Sequence, residues 1–151
     1  MRFIVKAGAD PTARADATLL TALGLPGGGV VRVGKTHCRV SAGDVPSPSA
    51  ILLGPLALAN AGVSVGDTVD VVRVPLAEAS RVEVTGEQTL DARHLARSLQ
   101  GQPVTLGDTV AISTSYGQGT ATEVRLRVTA VEPARPGLVG NRTLVYPART
   151  G

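Results

Sequence analysis

The stretch Leu58-Ala59-Asn60-Ala61-Gly62-Val63-Ser64-Val65-Gly66-Asp67-Thr68-Val69-Asp70-Val71 decides the fold. Pro55 suits a first helical turn and Gly62 a left-handed helix stop, so residues 55–61 predict a brief helix. Gly66-Asp67 predicts a tight turn, and the β-branched alternation from Thr68 predicts a strand over 68–74. Residues 20–33 (LTALGLPGGGVVRV) repeat this order. Gly24 matches Gly62, Gly28 matches Gly66, and Val31 and Val33 match Val69 and Val71, all at one offset of 38 (62 − 24 and 66 − 28). A third, partial copy runs through Val104-Thr105-Leu106-Gly107-Asp108-Thr109-Val110-Ala111-Ile112. Repeated units that cannot bury their own apolar faces must pack on each other. Two interlocked copies imply a pseudo-symmetric β-barrel.

The rest of the chain fits around that pair. Residues 2–6 (RFIVK) open as a strand and 7–11 (AGADP) as a turn-rich connection. Asp16 is placed to cap a helix over 17–23 that presents Leu19, Leu20 and Leu23 on one face. Residues 30–33 and 37–40 read as strands joined by Gly34-Lys35, and 50–53 as a short apolar strand. Residues 75–80 (PLAEAS) break the pattern and read as a linker.

A second unit then begins with a strand at 81–84. Thr89 is the expected cap of a helix over 90–99, with Ala92, Leu95, Ala96 and Leu99 forming one stripe. Residues 122–131 alternate apolar and polar as a half-buried strand does, 141–146 form the last strand, and 147–151 trail away.

Composition narrows the function. The chain of 151 residues is 43% hydrophobic but only 2% aromatic, so its core is aliphatic. The net charge of +3 comes largely from singly scattered arginines, without the basic runs and interleaved aromatics of a nucleic-acid surface. Cys38 has no intrachain partner, which fits a reducing cytoplasm. No apolar run is long enough for a bilayer and no secretory leader is evident, so neither nucleic acid nor membrane is an expected partner.

Four motifs suggest chemistry, and each is outweighed. Gly29 to Thr36 (GVVRVGKT) matches the Walker A pattern letter for letter. That loop needs a strand before it and a helix starting at the Lys-Thr pair, whereas VVRV and the following HCRV both favour strands. His37 and Cys38 lack the further ligands of a structural zinc site. Asp91 and His94 lie one helical turn apart, the spacing of an ordinary surface contact. Ser113, Thr114 and Ser115 have no histidine placed to activate them. Self-processing aspartate decarboxylases, which use a similar barrel, need a Gly-Ser dipeptide that is absent here. No catalytic residue, metal or cofactor is therefore expected in this chain.

At NAGVSVGDTVDV, taken with RFIVK, LTALGLPGGG and the strand into Gly34-Lys35, the chain resembles the N-terminal domain of the valosin-containing protein family of AAA ATPases. PVTLGD at 103–108 and VRLRVTAVEPARPGLVGNRTLVY at 124–146 extend the resemblance over nearly the whole chain. It implies a mainly β fold with short helices. A double-psi β-barrel would occupy residues 1–76, a linker 77–81, a four-stranded β-clam 82–147, and a tail toward a downstream ATPase module 148–151. The abundance of arginine, alanine and glycine points to a bacterial, actinobacterial-type relative.

The resemblance further implies a non-catalytic, monomeric, cytoplasmic module that recruits substrate or adaptor proteins or peptides to its own AAA ring. ATP and Mg²⁺ would belong only to the downstream module. By motif position, a protein-binding cleft would involve Pro26, Gly27, Leu76, Ala77, Gln100 and Gly101. Two alternatives compete. One is a molybdopterin-dinucleotide-binding barrel of an oxidoreductase, since Gly-Asp turns occur there too. The other is a small DNA-binding barrel.

Overall fold

The computed structural model describes residues 1–86, 91–114 and 122–147. The chain divides into two compact units, Met1–Pro75 and Leu76–Gly151.

The first unit contains β1 (Arg2–Ala7), β2 (Ala13–Ala15), α1 (Ala17–Ala22), β3 (Gly29–Val33), β4 (Thr36–Ala42), β5 (Ala50–Leu53), α2 (Pro55–Ala61) and β6 (Thr68–Arg73). The strands close into a barrel in the order β1-β5-β2-β4-β3-β6. Every neighbouring pair in that ring joins a strand from β1–β3 to a strand from β4–β6. Neither half pairs any of its own strands, so the interlock expected from the repeat is complete. The two parallel pairs, β1 with β5 and β2 with β4, are equivalent under exchange of the halves. This arrangement is a double-psi barrel.

Local sequence explains the elements. The Asp16 carboxylate accepts hydrogen bonds from the backbone N–H of Thr18 (3.0 Å) and Leu19 (3.4 Å), fixing the start of α1. Pro55 opens α2, and Gly62 closes it at φ 71°. The glycines of the two copies share left-handed backbones: φ is 81° and 84° at Gly24 and Gly28, and 71° and 96° at Gly62 and Gly66. Strand alternation turns Phe3, Val5, Val31, Val33, Cys38, Val40, Val69 and Val71 into the barrel, where Leu20, Ile51 and Leu53 join them. Burial of each large aliphatic side chain contributes roughly 1.5–3 kcal/mol, and that contribution drives closure.

The second unit contains β7 (Arg81–Thr85), α3 (Ala92–Leu99), β8 (Pro103–Thr105), β9 (Thr109–Thr114), β10 (Thr122–Glu132), β11 (Pro136–Leu138) and β12 (Leu144–Pro147). A four-stranded sheet runs in the order β12-β7-β10-β9, and β11 pairs with β8 in a separate two-stranded sheet. Val82, Val84, Val124, Leu126 and Val128 form the inner face, packed with Leu95 and Leu99 of α3. Arg125 and Arg127 of β10 lie on the exposed outer face. The helix begins at Ala92 with Asp91 in the cap position. Thr89 and Leu90, expected to start it, lie outside the described residues, as do residues 148–151 of the tail.

Three strands were not foreseen, β2, β8 and β11, each three residues long. The last strand begins at Leu144 rather than at 141, because residues 141 and 142 form a turn.

Candidate functional site

Three segments of the second unit meet where the sequence placed four of its six binding residues. Residues 76–79 run extended beside β11. The Ala77 carbonyl accepts from Leu138 N–H (2.9 Å), and Ala79 N–H donates to the Leu138 carbonyl (2.8 Å). Glu78 and Leu138 form a parallel bridge.

From the other side comes the end of α3. Gln100 leaves the helical conformation, with ψ 132°, and Gly101 at φ 80° turns the chain. Gly101 N–H donates to the Val139 carbonyl (2.6 Å), and Val139 N–H donates to the Gln102 carbonyl (3.0 Å). The Gln100 Nε2 group donates to Asn141 Oδ1. Ala77, Gln100 and Gly101 are thus gathered around a single segment, 138–141, by backbone bonds and one side-chain amide pair.

That segment is itself held firmly. Arg142 N–H donates to Glu78 Oε1 (2.7 Å). The buried Thr143 hydroxyl accepts from Gly140 N–H (2.9 Å) and donates to the Ala79 carbonyl (2.5 Å). On the surface remain Ala77, Gln100, Asn141 and Arg142, with Leu76 and Leu138 half-buried beside them. Small side chains, amides and two partly covered leucines suit contact with a polypeptide, by hydrogen bonds and modest apolar burial. They supply no nucleophile–base pair.

Pro26 and Gly27 belong to the first unit. Both are exposed on the turn after α1, which Gly28 N–H closes on the Leu25 carbonyl (2.9 Å). Leu138, Asn141, Arg142 and Glu78 were missed by the sequence reading. The Gly140-Asn141 dipeptide after Val139 was a turn signal, but nothing local ties it to Gln100.

The other motifs resolve clearly. The Walker-like string is the β3–β4 hairpin, with Val31 opposite Cys38 and Val33 opposite Thr36. Its amides serve the ladder, and no helix follows Gly34-Lys35, so it does not cradle phosphate. His37 and Cys38 are consecutive on β4 and point to opposite sides, Cys38 into the barrel and His37 outward. Burial first, and then the Arg32 charge opposite it, lower the proton affinity of His37 below its ordinary value. Asp91 is exposed, while His94 Nε2 is buried without a hydrogen-bond partner among the described residues. Ser115 lies outside the described residues. Among those residues no three His, Cys, Asp or Glu side chains are grouped to hold a metal, and no helix is long and apolar enough to cross a membrane.

Residues 87–145 match the family of Cell division protein 48 (CDC48), domain 2. Most of the second unit is therefore similar to a CDC48 domain 2. Together with the double-psi barrel that precedes it, this similarity supports an N-terminal domain of a CDC48-like AAA ATPase. No curated protein sequence matches the chain. Within the CDC48 domain 2 match lie Gln100, Gly101 and the 138–143 segment. Leu76 and Ala77 precede it, and Pro26 and Gly27 sit in the barrel.

Proposed function

We propose that this chain is the non-catalytic recruiting module of a CDC48-like AAA ATPase, engaging substrate or adaptor proteins for the ring. Partner polypeptides contact the surface made by Ala77, Gln100, Gly101 and residues 138–142, beside Leu76. The turn at Pro26 and Gly27 is a second contact for the same class of partner. What carries the reading is the CDC48 domain 2 match over the unit in which Ala77, Gln100 and Gly101 converge on one segment. The exposed groups there are of the polypeptide-binding kind and not of the catalytic kind.

In the full ATPase, deleting this module lowers processing of a folded substrate severely while basal ATP hydrolysis persists, and the isolated chain hydrolyses no ATP. Ala77→Arg and Gln100→Ala reproduce the processing defect in part, with hydrolysis unchanged. Equal loss of both activities on deletion would refute the proposal.

A further inference from the structure

Helix α3 carries its charges against the ordinary preferences of a helix. Arg93 stands in the first turn, directly after Ala92, and that turn holds no acid. The positive end of the helix dipole disfavours a cation there. Arg97 suits the last turn, but it follows Arg93 by four residues, so two like charges share one exposed stripe and repel. Leu95 and Leu99 take the core side of the helix, which leaves Arg93 and Arg97 on the solvent side.

The stripe runs into the surface described above. Gln100 comes one turn after Arg97 and binds Asn141, and Arg142 follows on that segment. The guanidinium groups of Arg93, Arg97 and Arg142 make no ion pair or hydrogen bond among the described residues. The acids at hand do not answer them: Asp91 forms no ion pair there, and Glu78 Oε1 accepts from the Arg142 backbone N–H. Arginines left open beside two amides offer forked donors to carboxylates and hydrogen bonds to a peptide backbone. Arg93 and Arg97 are about 6 Å apart along the helix axis. Alternate side chains of an extended peptide are about 6.6 Å apart, so acids at every second position match the stripe.

We infer that the recruiting surface of the second unit takes an extended, acidic segment of its partner polypeptide. Arg93 and Arg97 hold carboxylates at alternate positions, Arg142 receives a further one, and Gln100 and Asn141 bond to the peptide backbone. This rests on the recruiting role proposed above and adds to it the class of sequence recruited. The amides and the neutral Ala77 beside them favour a peptide over duplex DNA or an anionic membrane, which a longer run of cations would serve.

A short labelled peptide alternating Glu with Ser tests it, titrated with the 151-residue chain and followed by fluorescence anisotropy. The peptide binds, added salt weakens it, and a peptide with Gln in place of Glu binds about tenfold or more weakly. Arg93→Gln and Arg97→Gln each lower the affinity about fivefold or more. Arg127→Gln, on the exposed outer face of the sheet, leaves it unchanged. Arg93→Gln does not lower the melting temperature, because it relieves both the dipole and the repulsion. A fall there would show that the fold itself engages Arg93 and would overturn the inference. Equal binding of the Glu and Gln peptides overturns the acidic preference but leaves the recruiting role standing, since that role is read from deletion in the full ATPase. Absence of binding by the Glu peptide also overturns the inference. So do equal losses from Arg93→Gln and Arg127→Gln, or tighter binding of duplex DNA or of phosphatidylserine vesicles than of the peptide.

Discussion

Val33 lies directly opposite Val71 in the β3–β6 ladder, and the two are separated by 38 residues (71 − 33). Arg14 lies opposite Leu52 in the β2–β5 ladder, at the same offset (52 − 14). These two pairs map onto themselves when the halves of the barrel are exchanged, so the pseudo-twofold axis passes through both. The glycine offset read along the sequence is therefore the symmetry operator of the fold. Only β1 and β4 depart from it. They correspond at 35 residues, which sets Phe3 and Val5 on Cys38 and Val40 (38 − 3 and 40 − 5), with the same alternation of burial. The difference of three residues is absorbed in the connections that follow these strands.

Symmetry of backbone is not symmetry of surroundings, and Gly28 and Gly66 separate the two. Both have positive φ, 84° and 96°. A Cβ at Gly66 meets nothing within 4 Å, whereas one at Gly28 falls 2.5 Å from the Val40 carbonyl oxygen. Gly66→Ala costs the left-handed strain alone, about 1–2 kcal/mol. Gly28→Ala adds a backbone collision and exceeds that by about 2 kcal/mol or more. Urea melts of the two variants side by side test this, and equal midpoints would contradict it.

The caps give a second contrast. Asp16 accepts two backbone N–H bonds at the start of α1, while Asp91 holds the same position before α3 without a side-chain cap bond. Asp16→Ala lowers stability by about 1 kcal/mol. Asp91→Ala changes it by less than about 0.5 kcal/mol. Thermal melts decide, and a larger effect at Asp91 would mean that its carboxylate acts elsewhere.

What was legible in the sequence follows from the range of the forces involved. Residues 55–61 were bounded correctly because Pro55 and Gly62 are local signals that act through φ alone. The β3–β4 hairpin was legible because VVRV and HCRV carry strand preferences on both sides of Gly34-Lys35. β2 was not, since Ala13-Arg14-Ala15 is too short to show a period. It exists because β4 and β5 pair with it from either side. β11 owes its existence likewise to β8. At the candidate surface, Gln100 was named from the resemblance, but its partner Asn141 lies 41 residues away and no periodicity joins them.

Core truncation tests whether the aliphatic barrel interior is packed tightly despite its lack of aromatics. Leu20 of α1 and Ile51 of β5 are both essentially without solvent exposure in the first core. Leu20→Ala and Ile51→Ala each cost about 2–5 kcal/mol, whereas Ile51→Val costs about 0.5–1.5 kcal/mol. Chemical denaturation measures these values. A loss below about 1 kcal/mol at Leu20 would mean that the helix packs loosely on the barrel.

His37 supplies the pH dependence. Burial, and secondly the facing Arg32 charge, hold its folded-state pKa below the ordinary 6.5. The unfolded chain therefore binds this proton more readily than the native one. The stabilisation from neutral His37 is whole above pH 6.5 and is lost as the pH falls from there through the lower folded value. His37→Gln removes that component, so its stability changes less than that of the parent chain across the same interval. In the folded protein, the His37 ring resonances titrate with a midpoint under 6.5. Arg32→Gln moves the midpoint upward but short of 6.5, because burial is the larger cause and remains. A midpoint at or above 6.5 in the unmodified chain would show that the imidazole is neither covered nor opposed by Arg32 as the hairpin register requires.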